Sequence, residues 1–401
     1  MLAEAPANGQ GIPDAPSSQQ IAEWVRAHLS GFLSDVVNPG AADRDATGTP
    51  LTATAFTPLA ASGLLGYLVP AGHGGAGGDR RTFGLILEHL GHACDELEYP
   101  SLVSMYADIP AVIAGVGRPD LINRYVQPMI AGKRFGTFAY TERSDAFDFG
   151  CRVVEVDNGF EVTGVKALQT GGYLADVFLT YARDEGDDLR LLLVERGDPG
   201  VAVEPVPTAG FRAAGLTRLT LDRVRLDACR QLVRVDGLSH AQMFLNQRRL
   251  FIACPMVGRM SAIVEHCARH LTGVIRQGQP ATGFQAVQAK LGRMRIRYET
   301  SRAVLHDALD RLGNDEYNEL FDPVISAAKY TVVDNAIALA MDAIHLTGWM
   351  GYSRELPYER YLRGFMGGIA GQTAQDVLEI LLGNDVITRS EFGRSREEAL
   401  P

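Results

Sequence analysis

The sequence predicts an α+β protein: an N-terminal helical domain, a small antiparallel β-domain in the middle, and a C-terminal four-helix bundle. Three observations carry this. Apolar residues recur at helical spacing before residue 136. The texture then changes to short β-rich runs, with an Asn158-Gly159 hairpin signal among them. Long helix-period segments return after residue 237 and continue to residue 390.

Residues 1–20 are rich in Ala, Pro, Gly, Ser and Gln and read as a flexible leader. In 21–136, Ile21, Trp24, Val25, Leu29, Phe32 and Leu33 mark one buried helix face. Leu85, Leu87 and Leu90 behave similarly, as does the segment 121–130. The glycine density of 69–78 forces a loop. In 137–236, the run 153–156 turns at Asp157-Asn158-Gly159 into 160–163, and 177–182, 189–195 and 217–226 add strands. In 237–390, helices are expected over 243–271, 284–312 and 324–346, and residues 391–401 form a charged tail.

Composition narrows the classes. Hydrophobic residues make up 46% and charged residues 21% of the 401, which is ordinary for a globular protein. A net charge of −10 without a Lys/Arg-rich run argues against nucleic acid. Five scattered cysteines without a CxxC pair point to a reduced cytoplasmic protein, not a disulfide framework. No uninterrupted apolar run of membrane-spanning length is visible, and the N-terminus lacks the pattern of a secretory signal. His73, His92, His345, Asp95 and Glu98 match no standard ligand spacing, so no metal site is expected.

The most informative stretch is 140–172. It contains Tyr140-Thr141-Glu142, Ser144-Asp145, a strand-like run ending at Lys166, and Leu168-Gln169-Thr170-Gly171-Gly172. It resembles the flavin-facing segment of acyl-CoA dehydrogenases, T-E-P-G-A-G-S-D followed by G-x-K-x-W-I-T-N-G. Further on, 355–363 resembles the family's E-x-P-x-E-R-x-x-R, and Thr373 with Gln375 resembles its G-T-x-Q signature. The order of these elements across most of the chain carries the resemblance; a lone Thr or Gln is more often a cap or surface residue.

The resemblance implies FAD as cofactor and an acyl thioester as substrate, bound to CoA or to a carrier protein. It also implies a homodimer or homotetramer, or a hetero-oligomer with a homologue. Thr141 and Thr170 would bond the isoalloxazine ring, and Ser144 would lie near the thioester or pantetheine. Thr373 and Gln375 would lie at a helix start near the FAD diphosphate, where a helix N-terminus suits phosphate. Gln285 would contact FAD from the bundle, and Arg276 would reach the diphosphate in place of the family's R-x-x-F-G arginine. Gly348 keeps one glycine of the Q-x-x-G-G-x-G element, in which Trp349 is expected to crowd the cofactor's space.

The usual base is missing. The family's catalytic glutamate precedes the G-T threonine, which here gives Gly371, or Gln372 by the alternative alignment. Its other position, in the bundle helix before an arginine matched to Arg249, is Arg248. None of these residues takes a proton from carbon. Glu142, Asp145 and Asp148 are candidate substitutes against a reading as solvated turn carboxylates. Arg248 favours an anionic group in the acyl pocket, or pairs with a carboxylate such as Glu359, or reaches solvent. Three readings stay open: a dehydrogenase-like flavoenzyme with a non-standard or absent base, an FAD-dependent monooxygenase on the same fold, and a degenerate subunit or cofactor-free enzyme.

Overall fold

The computed structural model describes residue 12 and residues 16–143, 149–235, 239–314 and 320–397. It divides into two compact units, Met1–His240 and Ala241–Pro401.

In the first unit, helix α1 (Ser18–His28) begins two residues before the expected end of the leader. The reason is a reciprocal cap: Gln20 N donates to Ser17 Oγ (3.3 Å) and Ser17 N donates to Gln20 Oε1 (2.9 Å). Ile21, Trp24 and Val25 form its buried face. Helix α2 (Arg80–Ala93) starts where Asp79 accepts Thr82 N at 2.7 Å. Helix α3 (Glu98–Ala114) is buried on nearly every side, as expected of a helix with little polar face.

Eight strands among the described residues of the first unit form one sheet. They are β1 (Gly136–Ala139), β2 (Arg152–Val156), β3 (Gly159–Gln169), β4 (Val177–Arg183), β5 (Leu189–Glu195), β6 (Val201–Pro205), β7 (Thr217–Asp227) and β8 (Gln231–Val235). The order is β6-β7-β3-β2-β4-β5-β8, with β1 on β4. The hairpin at Asn158 is present, with Asn158 at φ 63°. The sheet is not wholly antiparallel, however: Gly136–Ala139 runs parallel to Val177–Thr180. The long connection between them, which includes the β2–β3 hairpin, permits a parallel return. Gly164 sits at a register shift between β3 and β7. A Cβ there would meet Cys151 Cα at 2.7 Å, so the close approach requires glycine. Val153, Val162, Phe178, Leu192, Leu219 and Val224 fill the core.

The second unit is the expected helical bundle. It contains most of α4 (Ser239–Gly273), then α5 (Gln285–Leu312), α6 (Pro323–Thr347), α7 (Tyr358–Ala370) and α8 (Gln375–Glu397). Helix α6 is central, packed by α5, α7 and α8. Helix α8 continues to Glu397, past the residue at which the tail was expected to begin. By length and composition alone α4 and α6 are long and apolar enough to cross a membrane, as core helices of this length also are. Both nevertheless bury charged side chains, Arg248, Arg249 and Arg259 on α4 and Lys329 and Asp342 on α6. Arg259 Nη1 donates to Tyr361 Oη at 3.3 Å and Lys329 Nζ to Thr373 O at 2.9 Å, the bonding of core helices.

Candidate functional site

In the first unit, the chain leaves β1 through Tyr140-Thr141-Glu142 and lies beside the end of β3. Thr141 O accepts Ala167 N at 2.7 Å, and Thr141 pairs with Leu168 in an antiparallel bridge. Thr170 follows two residues later; its carbonyl accepts Thr137 Oγ1 at 2.6 Å. Thr141 and Thr170 therefore lie on adjacent backbone segments. Among the described residues neither threonine hydroxyl is used in a hydrogen bond, so both remain available to a ligand.

Glu142 is not a free carboxylate. It accepts Lys166 Nζ at 2.6 Å, Gly150 N at 2.6 Å and Cys151 N at 3.2 Å. Lys166 is fully buried, and its Nζ also lies 3.4 Å from Tyr140 O and 4.5 Å from the Phe149 ring centre. Burial pulls the Lys166 ammonium below the usual lysine range, opposed by Cys151 and Glu142. Burial also pushes the Cys151 thiol up to about 11. Glu142 is thus withdrawn as a substitute base, because its oxygens are committed to Lys166 and two backbone N–H groups. Ser144, Asp145 and Asp148 lie outside the described residues.

In the second unit the chemistry gathers at the turn between α7 and α8. Arg249, fully buried, donates to Asn246 Oδ1 (2.8 Å), Gln242 Oε1 (3.1 Å) and Thr373 Oγ1 (3.1 Å). Thr373 is held at two atoms, since its carbonyl accepts Lys329 Nζ. Gln372 and Thr373 both adopt left-handed backbone, at φ 54° and 79°, a conformation costing non-glycine residues about 1–2 kcal/mol each. Two buried donors, Arg249 and Lys329, gripping Thr373 keep that turn in place. Lys329 was missed in the sequence; its only signal was a lone lysine in the apolar run 324–333. Gln375 is buried and donates to Asp334 Oδ1 at 2.8 Å.

The two positions that the resemblance offers for the base, 248 and 371, differ in kind. Arg248 is 3% exposed, so it does not reach solvent. Glu359 accepts Arg363 Nε at 2.7 Å within α7. At Gly371 an added Cβ would come within 2.8 Å of Ile252 Cδ1 and 2.9 Å of Gly367 O. The space is filled by a side chain of α4 and a backbone carbonyl of α7, so restoring a glutamate there requires repacking. Gly371→Glu is expected to destabilise the chain by about 1–3 kcal/mol, read as a lower urea midpoint, without giving it a usable base. An unchanged midpoint would contradict the crowding.

Arg276 lies in a two-residue hairpin strand and Gln285 at the start of α5; both are exposed and are not brought beside Thr373 by any described contact. Gly348 ends α6 at φ 62° with open space around it. Trp349 is 67% exposed, so within this chain its ring points outward and does not fill the turn.

Comparison with known proteins adds the following. Residues 19–133 match the family model for the acyl-CoA dehydrogenase N-terminal domain, residues 137–224 the middle domain, and residues 235–372 the C-terminal domain. The last match stops one residue before Thr373. The chain is 28% identical over 311 residues to an acyl-CoA dehydrogenase of Bacillus subtilis (strain 168), covering 75% of this chain and 81% of that one. Two solved structures share the fold. PigA with FAD and proline has a TM-score of 0.84 at 20% identity, covering 94% of this chain and 99% of that one. The prolyl acyl carrier protein oxidase AnaB has a TM-score of 0.83 at 20% identity, covering 93% and 100%.

Proposed function

Since the chain belongs to the acyl-CoA dehydrogenase family, we propose that it is an FAD-dependent oxidoreductase acting on the CH–CH group of an acyl thioester, with no carboxylate at the two usual base positions. The observation that carries this reading is the backbone bridge of Thr141 to Leu168, which brings Thr141 onto the segment that leads two residues on to Thr170. FAD, when bound, accepts the hydride. The hydroxyls of Thr141 and Thr170 donate to the ring, where charge develops on reduction. Thr373, steadied by Arg249 and Lys329, holds the α8 N-terminus toward the phosphates. Arg276, Gln285, Gly348 and Gln375 keep their family roles as flavin contacts in this reading, and Ser144 its place near the thioester. With Glu142 committed and position 371 closed, Asp145 and Asp148 are the remaining local candidates for accepting the α-proton.

The thioester is carried by CoA, as the family name implies, or by an acyl carrier protein, the carrier named for the oxidase AnaB. Exposed apolar residues on the second unit, including Ile296, Ile380, Val386 and Ile387, suit an oligomer of this chain. We place the protein in the cytoplasm.

The test is the visible absorbance of the purified chain, with FAD quantified after denaturation and then anaerobic titration with acyl-CoA and acyl carrier protein thioesters. Near-stoichiometric flavin that bleaches with a thioester is expected. Flavin that stays oxidised with every thioester but supports oxygen consumption with a reductant would move the reading to a monooxygenase. A second reading, a non-redox subunit completed by an active homologue, is favoured by Ile252 occupying the base's space. It requires no flavin in the isolated chain and flavin uptake once the homologue is added.

A further inference from the structure

We infer that Glu142 and Lys166 are positioning residues, whose buried ion pair sets where the Thr141 and Thr170 hydroxyls stand. This rests on the flavin reading above. Lys166 reaches both chain neighbours of Thr141: the Glu142 carboxylate at 2.6 Å and Tyr140 O at 3.4 Å. Two residues beyond Lys166, Leu168 bridges to Thr141, and two further on is Thr170. The same carboxylate accepts Gly150 N and Cys151 N, tying the start of β2 to the same point. Three backbone segments are thereby held at one charge.

Aromatic rings close the surroundings. Tyr140 meets Phe149 edge to face at 5.0 Å and Tyr181 at 5.6 Å, with Lys166 over Phe149. On the buried Lys166 side the bonds are strengthened and an unpaired member is costly, while Gly150 on the other side is exposed. A buried ion pair is nonetheless a poor route to stability alone, since apolar residues of similar volume often serve as well or better. What an apolar pair lacks is direction. The carboxylate must lie in reach of the ammonium and both N–H groups at once, and that condition fixes the path of the chain through Thr141.

The experiment compares the wild type with Glu142→Gln, Lys166→Met and the double variant Glu142→Gln/Lys166→Met, which leaves no unpaired buried charge and so keeps the test valid if a single variant fails to fold. Flavin affinity, the flavin absorbance envelope and hydrogen exchange at the Gly150 and Cys151 amides are measured on each. The folded variants are expected to bind FAD about tenfold more weakly, a change worth ~1.4 kcal/mol, with a shifted envelope and faster exchange. A merely stabilising pair would lower the melting temperature and leave affinity and envelope untouched, which overturns the inference while the flavin reading stands. A wild type that takes up no FAD overturns the flavin reading and this inference with it.

Discussion

Replacing Lys329 with methionine flattens the pH dependence of stability between about pH 7 and pH 10. The wild-type lysine is fully buried beside Arg249, and burial first, then that guanidinium, lowers its pKa to about 7, while Asp334 pulls it upward. An unfolded chain keeps an ordinary lysine near ~10.4. Below pH 7 both states carry the proton and the burial penalty is present in full. Between the two pKa values the unfolded state binds more protons than the folded one, so stability rises with pH. Each unit of separation is worth about 1.4 kcal/mol, and the rise accumulates to a few kcal/mol. Lys329→Met removes that slope and leaves Thr373 O without its lysine donor. Unfolding midpoints in urea, measured across the window on both proteins, check the prediction; parallel curves would show that Lys329 titrates normally. The functional consequence is expected at the same turn, as weaker retention of the cofactor.

Asp322→Ala is expected to cost about 2–3 kcal/mol. This carboxylate is fully buried. One oxygen accepts Val324 N and Ile325 N at 2.8 and 3.0 Å, capping α6, and the other accepts Arg311 Nε and Nη2 at 3.1 and 3.0 Å. Loss of such a cap costs about 0.5–2 kcal/mol. The Arg311 side chain is 43% exposed and rehydrates when released, so the ionic part adds only about 1 kcal/mol. Asp322→Asn retains an acceptor for the cap and should lose less. Urea denaturation of the two variants separates the contributions, and equal losses would mean that the cap is not the larger share. Asn246 extends the consequence toward the site: its Oδ1 takes Asp322 N at 3.4 Å and Arg249 Nη1 at 2.8 Å, and Arg249 holds Thr373.

The elements legible in the sequence were those with a strong local signature. The Asp157–Gly159 turn announced the β2–β3 hairpin, and the long helices of the bundle announced themselves by period. β1, β6 and β8 were not read. Gly136–Ala139 is buried at every position and shows no alternation. Val201–Pro205 is a short edge strand ending in proline, and Gln231–Val235 is equally short. The parallel pairing of β1 with β4 was hidden for another reason: pairing joins residues about forty positions apart, and period does not encode a partner.

The sequence by itself determined the fold class and the family and raised the proposal of empty base positions, because residue type and spacing are local properties that survive without a structure. Tertiary structure alone decided what those positions mean. Glu142 looked like a carboxylate available for chemistry until Lys166, 24 residues away, was seen to hold it. Gly371 looked like a simple loss until Ile252 and the Gly367 carbonyl were found in the space a side chain needs. Lys329 looked like one charge in an apolar helix until its bond to Thr373, 44 residues on, made it part of the site. In each case the deciding quantity is whether a polar group is already bonded or a volume already filled. That depends on which distant segments are brought together, which residue type and spacing do not specify.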